Sequence, residues 1–211
     1  MQQCSTKVVV TLIIGVGAGL LIATFSGIRD FLPELFRGAW VTLQVTGAGI
    51  VVAIIAALLA AIAKMYGPFP LRWLAISYIE VFRGTSALVQ LFWLFFVLPQ
   101  FGMVLSPFVA AVLALGLNSG AYGAEVVRGA INAVDQGQWE ACRALNLTRM
   151  QALRRIILPQ AFINMIPPWG NLLIELLKAT ALVSMISLSD LAFKAQQLNQ
   201  NTLRTVEIFS V

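Results

Sequence analysis

Long apolar stretches separated by short polar breaks set the rhythm of this chain. A first run at 8–25 (VVVTLIIGVGAGLLIATF) follows Lys7, and a second at 38–63 ends at Lys64 and the breaker segment GPFP at 67–70. A third spans about 73–98 and is interrupted by Glu80, Arg83 and Gly84. Pro99 to Pro107 turns the chain, 108–127 forms a fourth run and 163–185 a fifth. A sixth starts near 205, where the sequence stops, so the expectation is a chain truncated within its last helix. A helix needs roughly 20 apolar residues to cross a bilayer, and these runs approach or exceed that length. The first run fits either a retained helix or a signal peptide. No small-x-small cleavage pattern follows it cleanly, which favours a retained helix over residues 1–30, and its Gly15 and Gly19 would let another helix come close.

Composition supports lipid as the solvent. Of 211 residues, 59% are hydrophobic and 11% charged, with a mean hydropathy of +0.87. Soluble domains carry about 25% charged residues. The expected fold class is therefore all-α integral membrane, with no room for a separate soluble domain. The net charge of +5 does not form a nucleic-acid patch, because the basic residues gather in particular loops. The segment 128–160 holds Arg128, Arg143, Arg149, Arg154 and Arg155 against Asp135 and Glu140, and Lys7 and Lys64 fall on the same side if every run crosses. On the other side Arg29 and Arg37 are balanced by Asp30 and Glu34. The arginine-rich loop is expected to face the cytoplasm. With no histidine and two cysteines, Cys4 and Cys142, the chain excludes histidine-based metal, haem and triad chemistry and a disulfide framework.

Within 128–160, Asp135 to Gly137 breaks the chain and Gln138 to Ala152 has helix-forming composition, with Trp139, Cys142, Leu145 and Leu153 at helical spacing. Asn146 interrupts it, and Thr148 is suited to cap a second short helix. Two short helices joined by a bend, with Pro159 marking the return toward the membrane, would form a compact knob.

Polar groups inside apolar runs are costly, so they mark candidate functional positions. Glu80 and Arg83 are three apart and can face each other on one helix surface. Asn118, Tyr122 and Glu125 form one stripe at i, i+4 and i+7, and Asn171, Glu175 and Lys178 repeat that spacing. Such groups either line a solute pathway or pair between helices, and Glu80 with Arg83, near a run's end, suits structure or gating.

Glu140-Ala141-Cys142, then Asn146, then Ile156, Leu158 and Pro159 resemble, with intact spacing, the EAA loop of binding-protein-dependent ABC importer permeases. Cys142 stands for the second alanine and Asn146 for the glycine. Tyr78 to Thr85 (YIEVFRGT) is similar to the YxExFRGTP signature of the polar amino acid branch (histidine, glutamate, glutamine, arginine, opine type), with Ser86 in place of proline. AYGAEVVRGAI at 121–131, Pro167-Pro168 and LKATAL at 177–182 resemble further motifs of that branch, with Ala181 replacing a serine. The resemblance covers roughly residues 33–211. Within the branch, TSALVQLFW and LKATALVS most resemble ectoine/hydroxyectoine importer permeases.

This resemblance implies a type I importer transmembrane fold: five core helices plus an extra N-terminal one, a permease domain over 31–211 and a cytoplasmic coupling helix. Glu140, Ala141, Cys142, Asn146, Ile156, Leu158 and Pro159 would couple to an ATPase. Glu80, Arg83, Asn118, Tyr122, Glu125, Asn171, Glu175 and Lys178 are the pathway or gate candidates. The implied partners are two ABC ATPase subunits, a second permease (identical or a paralogue) and an extracytoplasmic solute-binding protein, and the implied place is a bacterial inner membrane. The sequence contains no GxxxxGK[ST] phosphate loop, so ATP and magnesium would belong to the partner ATPase and this chain would be no enzyme. A membrane enzyme lacks catalytic spacing here, and a non-transporting scaffold would leave the EAA spacing unexplained.

Overall fold

The computed structural model describes residues 32–203 and 205–209, and their regular structure is entirely helical. The first apolar run at 8–25, Gly15, Gly19 and Cys4 lie outside the described residues. The chain divides into two compact units, residues 42–188 and the two segments that flank them.

Helix α1 (Leu32–Tyr66) is 35 residues long, and its apolar content is high enough for a membrane span. It outruns the expected 38–63 at both ends. Helix α2 (Phe69–Gly84) carries Pro70 at its second position, where the missing N–H costs nothing in a first turn. The single span expected at 73–98 is instead broken. Helix α3 (Ala87–Phe92) follows after Thr85 and Ser86 and continues through a π-turn at Trp93–Val97 and a 3₁₀ turn at Leu98–Phe101, and the two halves are bent by 107°. Ser86 caps the second half, its hydroxyl accepting from the Leu88 N–H. Serine in place of a proline thus supplies a side-chain cap where proline could supply none.

Helix α4 (Pro107–Asn132) is the hub of the larger unit, with thirteen buried residues. Gly116, Gly120 and Gly123 form one stripe along it. A Cβ on Gly116 would lie 2.8 Å from the Val52 side chain, and one on Gly120 would lie 2.8 Å from the Ala56 Cβ and 3.1 Å from the Ala53 carbonyl. On Gly123 it would meet the Trp169 ring at 2.8 Å and the Ala57 Cβ at 3.0 Å. Ala53 and Ala57 on α1 are fully buried in return. Small residues on both helices bring the backbones together, which is how helices associate where lipid offers no hydrophobic drive.

After Asn132 come α5 (Gln136–Ala144) and α6 (Arg149–Ala152). Helix α6 is not the free-standing second helix expected from composition. It passes through a π-turn at Leu153–Ile157 directly into α7 (Leu158–Ala179), and a 3₁₀ turn carries the chain to Ile186. Pro159 therefore does not interrupt the chain. The Leu158 N–H bonds back five residues to the Leu153 carbonyl, and this wider turn accommodates the missing proline donor. Leu145, expected on the apolar face, is 69% exposed, whereas Cys142 is buried.

In the smaller unit, Leu35 packs with Ala195, Leu198 and Ile208, from α8 (Leu191–Thr202) and α9 (Thr205–Phe209). The buried Asp190 caps α8 through the Phe193 N–H at 2.9 Å, and burial pushes its carboxyl above the usual range against the backbone N–H groups that hold it down. Glu34 joins Arg37 at 3.0 Å and Lys194 at 2.9 Å.

Gly120→Val should destabilise the detergent-solubilised protein by about 1–3 kcal/mol through overpacking. Gly129→Ala, where an added Cβ meets nothing within 4 Å, should leave the thermal midpoint unchanged or raised. Thermal unfolding of the two variants against wild type checks the contrast.

Candidate coupling and translocation site

The arginine-rich loop is shaped by three local devices. The Asp135 carboxylate accepts from the Gly137 N–H at 2.6 Å and starts α5. At its far end the Leu147 N–H reaches back to the Cys142 carbonyl (3.0 Å) and the Asn146 N–H to the Arg143 carbonyl (2.9 Å). This pair of bonds requires a left-handed residue between them, and Asn146 supplies it with φ 53°. Asparagine therefore serves where glycine would be the usual choice. Thr148 and Gln151 then cap each other reciprocally, the Gln151 N–H donating to Thr148 at 3.3 Å and the Thr148 N–H to Gln151 at 3.0 Å.

The loop is tied to the spans from beneath. Trp139, Leu153 and Ile156 pack on a core that contains Ala60, Ile79, Val127, Ile131, Ile157 and Met165. Gln160 on α7 donates to Gln138 on α5 at 3.3 Å. Glu140, Ala141, Asn146, Leu158 and Pro159 remain exposed while Cys142 is buried, so the sequence-predicted coupling residues divide into an outward set and an anchoring set. A displacement of α5 would reach α4 and α7 through that shared core.

The intramembrane candidates separate into three groups. Asn118 and Tyr122 serve the break between α2 and α3. Asn118 donates to the Phe82 carbonyl at 2.9 Å, and the Tyr122 hydroxyl makes a longer 3.4 Å contact with the Arg83 carbonyl. The Gln90 amide nitrogen lies 2.9 Å from the Phe82 carbonyl and 2.7 Å from the Thr85 hydroxyl. These side chains satisfy carbonyls that a helix end leaves without intrahelical donors. Tyr78 adds a bond to the Leu117 carbonyl at 2.6 Å. Glu80 and Arg83 are both exposed and do not pair with each other, contrary to their spacing. The Arg83 guanidinium lies 5.3 Å from the centre of the Tyr122 ring instead.

Glu125 departs from the stripe it shares with Asn118 and Tyr122. Its carboxylate takes Lys64 on one oxygen at 2.6 Å and Arg128 on the other at 2.7 Å, joining the ends of α1 and α4 beside the arginine-rich loop. Composition gave no sign of the Lys64 partnership, which spans 61 positions. By contrast, the glycine stripe on α4 is visible as GLNSGAYG at 116–123.

Asn171, Glu175 and Lys178 form the third group. All three lie exposed on α7, opposite the buried Leu176, and none forms a hydrogen bond or ion pair with a described residue. Among the described residues no cluster of histidine, cysteine or carboxylate side chains could hold a metal ion.

Residues 49–211 match the family described as binding-protein-dependent transport system inner membrane component. A probable amino-acid ABC transporter permease of Sinorhizobium fredii is 53% identical over 177 residues, 81% of this chain and 74% of that one. The L-cystine transport system permease of Bacillus subtilis is 40% identical, covering 87% and 78% of the two chains. The glutamine transport system permease of Escherichia coli is 37% identical, covering 88% and 86%. Among solved structures, an amino acid ABC transporter crystallised with histidines superposes with a TM-score of 0.83 at 40% identity, over 88% of this chain and 87% of that one. The methionine ABC transporter MetNI, at 21% identity and a TM-score of 0.66, shares the fold. With the helical fold and loop geometry described, the chain belongs to the inner-membrane permease components of binding-protein-dependent ABC importers.

Proposed function

We propose that this permease moves polar amino acids or similar zwitterionic solutes into the cytoplasm, along a path bordered by the exposed stripe Asn171, Glu175 and Lys178. The stripe is the observation that carries the reading. Ionisable groups at membrane depth cost roughly 2.5–3.5 kcal/mol on insertion scales, so an unpaired Glu175 and Lys178 need a polar surrounding. A water-filled path shared with a second permease copy supplies it, and the two signs suit a solute that carries both. Relatives that transport L-cystine and glutamine point to the same solute class. The ectoine subtype rests on TSALVQLFW and LKATALVS alone. Arg83 and Glu80, exposed at the bend, extend the polar lining, while Asn118, Tyr122 and Glu125 hold the helices that frame it.

In this reading the arginine-rich loop faces the cytoplasm, and Glu140, Ala141 and Asn146 meet the ATPase, with Leu158 and Pro159 at the margin. Cys142 and Ile156 anchor that surface to the spans. Two ATPase subunits would bind ATP and magnesium, the chain itself lacking a phosphate loop. Two permease copies, identical or paralogous, would receive solute from the binding protein.

Glu140→Arg should weaken assembly with the ATPase and abolish transport-coupled ATP hydrolysis. Unchanged copurification and hydrolysis would remove Glu140 from the dock. Glu175→Ala should raise the apparent KM for uptake about tenfold or more, the worth of one hydrogen bond to a charged group. Normal uptake at normal KM for both Glu175→Ala and Asn171→Ala would take the stripe off the path.

A further inference from the structure

Helix α1 meets α4 along a seam of small side chains, with Val52, Ala53, Ala56 and Ala57 against the glycine stripe. Such a seam brings two helices close but offers little to stop one sliding along the other, and shear of packed helices is an ordinary mode of conformational change. Helix α2 is pinned to α4 by the Tyr78 bond to the Leu117 carbonyl, and α7 by the Trp169 ring seated at Gly123. Toward the arginine-rich loop, α1 is tied to α4 by charge instead. Lys64 Nζ lies 2.6 Å from one Glu125 oxygen, and Arg128 holds the other at 2.7 Å.

Glu125 does not need Lys64 for neutrality. Arg128, three residues on along the same helix, already supplies an opposite charge. Lys64 stands two residues from the end of α1, where a long lysine stem can carry its ammonium out to water. Its side chain is nevertheless only 21% exposed and is turned onto Glu125, itself 17% exposed. Charges shielded from water in this way attract more strongly than free ones. One turn back, Ala60 and Ala61 enter the core on which Trp139 of α5 packs, and Val127 and Ile131 enter it from α4. We infer that Lys64 is a positioning residue of the transport cycle: through Glu125 it makes α1 move with α4 as one body when the ATPase displaces α5. Without it, α4 follows the ATPase while α1 lags along the smooth seam, and ATP is hydrolysed without a matching movement of the spans. This role rests on the ATP-driven uptake proposed above.

The test uses the full permease assembled with its ATPase and binding protein in liposomes, with labelled amino acids and ectoine as probes. Lys64→Met should keep the ATPase bound and hydrolysing, because Arg128 still neutralises Glu125. Solute taken up per ATP should fall about tenfold, the worth of one hydrogen bond to a charged group. Lys64→Arg should restore most of it. The Lys64→Met/Glu125→Gln double variant should lose no more than either single variant, since each residue acts through the other. A second readout is the distance between spin labels on Tyr66→Cys and Asn132→Cys, exposed at the ends of α1 and α4, in a Cys4→Ala/Cys142→Ala background. On nucleotide trapping that distance should stay single-valued with Lys64 present and broaden in Lys64→Met. Wild-type uptake per ATP in Lys64→Met, or a label distance that the substitution leaves unchanged, would overturn the role. Loss of the ATPase or a lowered thermal midpoint accompanying the lost uptake would overturn it too, leaving Lys64 a structural tie. Absence of ATP-dependent uptake in wild type would instead fail the transport reading, and the label distance would still decide the role of Lys64.

Discussion

The close approach of α4 to α1 is the constraint on which the rest of the larger unit depends. Gly116, Gly120 and Gly123 face Val52, Ala53, Ala56 and Ala57 with no space for a further carbon. In lipid, apolar side chains gain little by leaving their surroundings, so backbone proximity and dispersion contacts must hold the helices. The same stripe seats Trp169 of α7 and the Tyr78 hydroxyl of α2. One helix of small residues thus fixes the position of three others.

Polar chemistry is arranged around that packed hub. The break at Gly84 frees backbone carbonyls at the end of α2, and Asn118, Tyr122 and Gln90 turn their donors toward them. At the end beside the arginine-rich loop, Glu125 neutralises Lys64 and draws Arg128 with it, fastening α1 to α4 where α4 leads into α5. Helix α6 runs without a break into α7, and Trp139 of α5 packs on the core that α4 and α7 share. The polar residues left over, on the exposed face of α7, are those assigned to the solute.

Much of this is legible in the amino-acid sequence. Thr148 and Asn146 announced their caps, because local backbone chemistry needs only neighbouring residues. The four longest described apolar segments were all located, since burial in lipid leaves a strong compositional trace. What failed was non-local. The 107° bend escaped because hydropathy averages over Gly84, Thr85 and Ser86. The pairing of Glu80 with Arg83 was inferred from spacing alone, yet Arg83 found the Tyr122 ring across the break. Glu125 was left open between a solute path and pairing between helices, and its pair with Lys64, remote in sequence, could not be foreseen. Pro159 was read as marking the return toward the membrane, but the π-turn that carries the helix through it left no trace in the sequence.

In the function proposed above, solute crosses this chain only when a partner hydrolyses ATP and a binding protein delivers the solute. Its most direct test is uptake of labelled amino acids and ectoine into liposomes holding the full-length permease with its ATPase, with and without ATP and the binding protein. The expected result is uptake that requires both and favours an amino acid or a comparable zwitterion. Equal uptake without ATP would contradict it.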